Sequence, residues 1–123
     1  MSQTRPWHRL PPSPVTAEVA LRQGMALLDG AGADDPVTTA WWIVDSDALV
    51  LGRGSRVEAD TTKCLAEDVQ IVRRASGGGP VLWGPDLLAL DVVIPKGHSL
   101  HSADVVDSYR WLGEALAGAI TTL

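Results

Sequence analysis

Two arginines run directly into a glycine triplet at Arg73-Arg74-Ala75-Ser76-Gly77-Gly78-Gly79-Pro80-Val81. Adjacent glycines reach backbone angles closed to other residues and let a ligand approach the main chain with no Cβ in the way. Their N–H groups can converge into an anion-binding concavity. Arg74 beside them offers a cation with a forked donor set suited to phosphate. The chemistry this predicts is a cradle for a nucleotide phosphate. The same residues also suit a loose hairpin loop flanked by surface arginines, and spacing alone leaves both readings open. The run is not a Walker A loop, because no Gly-Lys-Ser/Thr follows. Nor is it a dinucleotide fingerprint, which needs a helix after the glycines where this chain has a strand-forming run.

The other chemically capable residues read as structural. Cys64 lies in a polar helical stretch with no His close in sequence, which predicts an inert, buried or half-buried thiol. His98 and His101 are three apart, but no Cys, Asp or Glu pair completes a site at ligand spacing, so no metal site is assigned. Trp41 and Trp42 read as sheet packing. Asp91, inside an apolar strand, is placed on the solvent face, with a role beside the nucleotide as the alternative. Lys63 and Lys96 sit in no recognisable motif.

The elements that must position the loop follow from periodicity. Residues 1–14, with Pro6, Pro11, Pro12 and Pro14, read as an extended, mobile tail. Thr16 can cap a helix with Glu18 in its first turn, Leu21, Met25 and Leu28 on its core face, and Gly30 and Gly32 at its end. The period then changes. Residues 38–44 and 48–52 predict two strands joined as a hairpin through Asp45-Ser46-Asp47. A short helix is expected within 57–68 and a strand at 70–74. Residues 80–84 and 86–95 predict a second hairpin turning at Gly84-Pro85. Ser102 can cap a final helix whose core face carries Val105, Tyr109, Leu112, Leu116 and Ile120. That pattern reaches Leu123 with no stop signal behind it, which reads as a domain that continues. The expected fold is α+β, a mostly antiparallel sheet with helices on one face, and incomplete.

Composition narrows the classes. The 123 residues are 46% hydrophobic and 20% charged, ordinary for a globular domain. Ten Lys+Arg against fifteen Asp+Glu give a net charge of −5, which argues against binding nucleic acid through phosphates. One cysteine forbids an intrachain disulfide. No apolar run approaches the roughly 18–20 residues that cross a bilayer, and the N-terminal stretch has no secretory apolar region. The expected setting is the cytoplasm, with no membrane partner.

The segment Arg73 through Pro95, preceded by Asp45 through Glu58, resembles the biotin/lipoate protein ligase family, and within it the lipoate-protein ligases of the A type. Their pattern has a strand ending in Gly-Arg or Gly-Lys, a helical stretch, then Arg-Arg-x-Ser/Thr-Gly-Gly-Gly-x-Val entering an apolar strand. Gly52-Arg53 and Arg73–Val81 fill those places, and the likeness spans residues 16–110. The resemblance implies a class II aminoacyl-tRNA synthetase/biotin synthetase-like fold, with residues 1–15 as a flexible tail and 16–123 as the N-terminal portion of the catalytic domain. It implies ATP, with Mg, and lipoate or octanoate as substrate, activated to an acyl-adenylate and passed to a lysine of a lipoyl-acceptor carrier domain. By position, Arg74 would contact phosphate, and Gly77, Gly78, Gly79, Pro80, Val81 and Leu82 would line the nucleotide and acyl site. The family's catalytic lysine falls beyond Leu123, so no residue of this chain is assigned that role. The chain departs from the pattern at Trp83-Gly84-Pro85, where His followed by Asp or Asn is common, at Arg22-Gln23 in the first helix, and at Gly54-Ser55-Arg56. The alternatives on the same fold are an octanoyltransferase and a biotin-protein ligase. From another class come a module that binds acyl-adenylate or carrier without transfer, or an inactive remnant. An incomplete sheet also predicts possible self-association.

Overall fold

Thr16 marks the point where extended chain turns into helix: its Oγ1 accepts from the Val19 N–H at 3.2 Å, which satisfies one of the orphan donors of a first turn. The computed structural model describes residues 6–56 and 61–123. Helix α1 spans Ala17–Asp29 and closes at Gly30, whose N–H reaches Ala26 O at 3.0 Å. Its buried face is made of small residues, Ala17 and Ala20, with Leu21 and Leu27 half-buried beside them. The expected Met25 and Leu28 are exposed instead. Alanines let the helix lie close on the strands, and the longer side chains fall to the rim of a cleft.

Ahead of α1, the expected mobile tail is in fact a strand, β1 (His8–Val15), from its eighth residue onward; residues 1–5 lie outside the described residues. β1 runs parallel to β2 (Thr38–Val44), with a register shift between Leu10 and Ser13 where Pro11 and Pro12 stand. Proline withholds a donor from a ladder, so it is tolerated at a sheet edge and at a bulge, and β1 is both an edge strand and bulged.

Among the described residues two three-stranded sheets form, in the orders β1-β2-β6 and β4-β3-β5. Here β3 is Ala48–Leu51, β4 Gln70–Arg73, β5 Val81–Trp83 and β6 Leu88–Val93. Both expected hairpins are corrected. β2 pairs with β6 and not with β3, and β5 pairs with β3 and not with β6. Each short connection, 45–47 and 84–87, carries the chain from one sheet to the other. Two of the four pairings are parallel and two antiparallel, so the sheets are mixed rather than mostly antiparallel.

The core sits where the sheets and α1 meet. Ala17, Val44, Ala48 and Val50 form one buried cluster, and Ala20, Ala40 and Trp42 another. Trp83 packs against both and joins them. Helix α2 is Thr61–Ala66, inside the 57–68 stretch, of which 57–60 lie outside the described residues. Cys64 is half-buried on it.

Helix α3 spans Val105–Thr121. Its cap is Asp104, not Ser102: Asp104 Oδ1 accepts from the Asp107 N–H at 3.0 Å, while Ser102 Oγ accepts one turn earlier from the Asp104 N–H at 3.1 Å. The expected core face is not buried. Val105, Tyr109, Leu116 and Ile120 are exposed, Leu112 is half-buried, and no α3 residue is buried. Among the described residues its ring contact is Trp111 edge-on to Trp7 at 6.2 Å.

Candidate active site: a glycine loop pinned beside an apolar cleft

The glycine loop leaves the end of β4 and returns as β5, on either side of β3. Its conformation is set by three carbonyls held inward. Ser76 O accepts from the Arg53 N–H at 2.8 Å. Gly77 O accepts from Arg74 Nε at 3.2 Å and Nη2 at 2.8 Å. Gly78 O occupies the place where a side chain on Gly52 would stand. A trans peptide points its N–H opposite to its C=O, and the described residues contain no cis peptide. The N–H groups of Gly77, Gly78 and Gly79 therefore turn outward, and among the described residues no protein group accepts from them. Gly78 has φ +104°, which a branched side chain cannot adopt.

Arg74 holds this arrangement. Besides Gly77 O, its Nη1 reaches Val50 O at 3.3 Å and its Nη2 reaches Gly79 O at 2.8 Å, and its N–H donates to Leu51 O at 2.9 Å. The guanidinium is thus committed to the loop's own carbonyls. Its neighbour Arg73 does the same for the facing turn, with Nη1 donating to Gly52 O at 2.7 Å and Ser55 O at 3.2 Å. The two arginines staple two loops together and leave cationic charge beneath outward-facing amides. What the arrangement can do chemically is receive an anion on its backbone.

Arg73, Arg74, Ala75 and Ser76 also form one wall of a cleft of about 860 Å³ between α1, β4 and β6. Its other walls mix apolar Leu21, Met25, Trp42, Trp83 and Ala89 with charged Glu18, Arg22, Asp29 and Asp91. A cleft of this size and lining suits a small organic ligand. Of the residues singled out in the sequence, Arg74 borders this cleft and Gly77, Gly78 and Gly79 follow directly on it. Val81 and Leu82 stand exposed on β5 and are not part of its walls. Lys63 and Lys96 are exposed and do not border it.

Three site features escaped the sequence reading. Gly52 is a socket for the Gly78 carbonyl, Arg73 is a clamp, and Asp91 belongs to the cleft. Asp91 is not on the solvent face: its Oδ2 accepts from Trp42 Nε1 at 2.7 Å, on the side of the sheet that α1 covers. The signal was present for Gly52, a glycine ending an apolar strand, where close backbone approach is a standing reason for the residue.

Elements in this order, with both sheets and their helices, make a mixed α+β fold of the class II aminoacyl-tRNA synthetase and biotin synthetase type. The model of the lipoyl protein ligase A/B catalytic domain matches residues 16–123, and the chain belongs to that family. Among solved structures it is similar to a bi-partite lipoate protein ligase from Thermoplasma acidophilum, studied with its E2 lipoyl domain (TM-score 0.79, 20% identity, 94% of this chain and 44% of that one). It is similar to a lipoate-protein ligase A bound with ATP (TM-score 0.79, 19% identity, 94% and 45%). It is also similar to a T. acidophilum protein assigned as a lipoate protein ligase and solved with bound lipoic acid (TM-score 0.78, 20% identity, 95% and 47%). At such identities the likeness is one of fold, and the chain spans less than half the length of these structures. No curated protein matches the chain.

Proposed function

We propose that the protein activates lipoate or octanoate with ATP and passes the acyl group to a lysine of a lipoyl carrier domain, working in the cytoplasm. The observation that carries this reading is the row of three outward-turned glycine amides beside a partly apolar cleft. Family membership and the ATP and lipoic acid bound in similar structures support it.

In the first step a carboxylate oxygen of the acid attacks the α-phosphorus of ATP and pyrophosphate leaves, giving an acyl-adenylate. Negative charge builds on the α-phosphate oxygens. Donors already aimed at that charge stabilise it without reorganising, and the Gly77, Gly78 and Gly79 amides are such donors. Arg74 acts chiefly by fixing them, with its charge adding to the local potential. In the second step the carrier's lysine amine attacks the acyl carbonyl, AMP leaves, and the amine gives up its proton. The acyl chain lies against Leu21, Met25 and Trp42, out of water. Among the described residues no group of three or more His, Cys, Asp or Glu could share a metal ion. A magnesium ion accompanying ATP would be held chiefly by the nucleotide's phosphates. Among the described residues no helix is long and apolar enough to cross a membrane.

The test is to incubate the natural full-length protein with ATP, octanoate or lipoate, and an acceptor domain, following pyrophosphate release and acceptor mass; the 123-residue chain alone is expected to be a poor catalyst. Pyrophosphate release that requires the acid is the expected outcome. No acid-dependent pyrophosphate and no acyl-adenylate would contradict the reading.

A further inference from the structure

The stretch of α1 that borders the cleft carries Glu18, Leu21, Arg22, Met25, Leu28 and Asp29. Their spacing of three and four residues puts them along one side of a helix. Leu21, Met25 and Leu28 offer an apolar track, and Arg22 is the one cation in this stripe. Two more cations border the cleft, Arg73 and Arg74, but both spend donors on loop carbonyls. Arg22 is differently placed. Its Nη2 lies 3.0 Å from Glu18 Oε1, one turn earlier, and its side chain is 78% exposed. An exposed pair at this spacing is weak, and one carboxylate oxygen uses few of the five N–H donors of a guanidinium. Glu18 has a second tie: its Oε2 accepts from Gln70 Nε2 at 3.2 Å. Gln70 opens β4, the strand that leads into the glycine loop. Glu18 thus braces Arg22 against β4 and leaves most of its donors unspent.

The charges of the cleft call for such a group. Glu18, Asp29 and Asp91 border it, and the chain carries a net charge of −5. An acid and a polyphosphate are both anions, and these carboxylates repel them. We infer that Arg22 is a substrate-binding residue: it binds an anionic oxygen group of the bound substrate while Glu18 holds it in place. This rests on the reading that the cleft is the substrate site. The acid's carboxylate and the phosphates of ATP share this chemistry, and titrating each separates them. Glu18 sets the strength of the contact, because its charge competes with the substrate's for the same guanidinium.

The informative variants are Arg22→Gln and Glu18→Gln in the natural full-length protein. Thermal unfolding of both beside the wild type shows that the fold is kept, and Arg22→Met, which keeps the apolar stem, is read in place of Arg22→Gln if that variant unfolds. Octanoate and ATP are titrated into each protein by calorimetry. If the carboxylate is the partner, Arg22→Gln binds octanoate about three- to tenfold more weakly and ATP as the wild type does. If a phosphate is the partner, the loss falls on ATP instead. Glu18→Gln, which removes the competing charge, binds the affected ligand at least as tightly as the wild type. Unchanged affinity of a folded Arg22→Gln protein for both ligands overturns the inference and leaves the proposed function standing. Weaker binding by Glu18→Gln also overturns it, because the ion pair would then serve only to shape the cleft. A wild type that binds neither octanoate nor ATP overturns the proposed function itself, and the inference with it.

Discussion

Gly52 illustrates how a residue without chemistry of its own can decide where donors point. The Gly78 carbonyl rests where a Gly52 side chain would be, so Gly52→Ala must push backbone against backbone. The loop then shifts and its amides turn. Overpacking of this kind costs about 1–3 kcal/mol of stability. The expected outcome is a folded protein with a lowered midpoint in urea and at least tenfold weaker binding of an acyl-adenylate mimic. Wild-type binding by a folded Gly52→Ala protein would show that the loop geometry is not what receives the ligand. At this scale the sequence shows that Arg74 and the glycines belong together. It does not show that Arg74 spends its donors on carbonyls, because one of its acceptors, Val50 O, lies 24 residues away on a different strand. Asp91 was misread for a similar reason. Which face of β6 is covered depends on where α1 lies, and strand alternation alone is symmetric between the two faces.

Elements were legible where a local pattern sufficed. The runs at 38–44, 48–51 and 70–73 are strands, and Thr16 and Gly30 bound α1 as composition predicts. Pairing was not legible, because short polar connections imply hairpins by default while this chain uses them to step between sheets. β1 was hidden by its prolines, whose penalty vanishes at an edge. The cap of α3 offers a direct test of one corrected boundary. Asp104→Ala removes the acceptor for the Asp107 N–H and a negative charge at the positive end of the helix dipole. It should cost about 1 kcal/mol and reduce ellipticity at 222 nm, whereas Ser102→Ala, which removes a bond outside the helix, should leave the helical signal nearly unchanged. Equal losses in both variants would restore Ser102 as the cap.

For the molecule as a whole, cohesion is uneven. The sheets and α1 share buried Val44 and Val50 and are joined through Trp83. α3 has no buried residue and leans on the body through Trp111 and Trp7. Elements with few buried apolar contacts open at low free energy. In the 123-residue chain the amides of α3 should therefore exchange with solvent well before those of β2 and β3, as hydrogen exchange read by mass spectrometry would show. Protection in α3 equal to that of β3 would contradict this division. The amphipathic period of α3 was read from sequence as a core face. Periodicity gives the apolar side of a helix, but not what covers it.

The central claim is that the Gly77, Gly78 and Gly79 amides, fixed by Arg74, receive the phosphate of an acyl-adenylate. Calorimetric titration of a non-hydrolysable acyl-adenylate mimic into the wild type and into Arg74→Ala, Gly78→Val and Arg56→Ala tests it most directly. Losing the charge-assisted bonds of Arg74 should weaken binding roughly ten- to a hundredfold. Gly78→Val should do comparable harm, because it forbids φ +104° and drives a side chain into Arg74. Arg56→Ala, exposed and outside the loop, should bind like the wild type. Folded Arg74→Ala and Gly78→Val proteins that bind the mimic as tightly as the wild type would contradict the account.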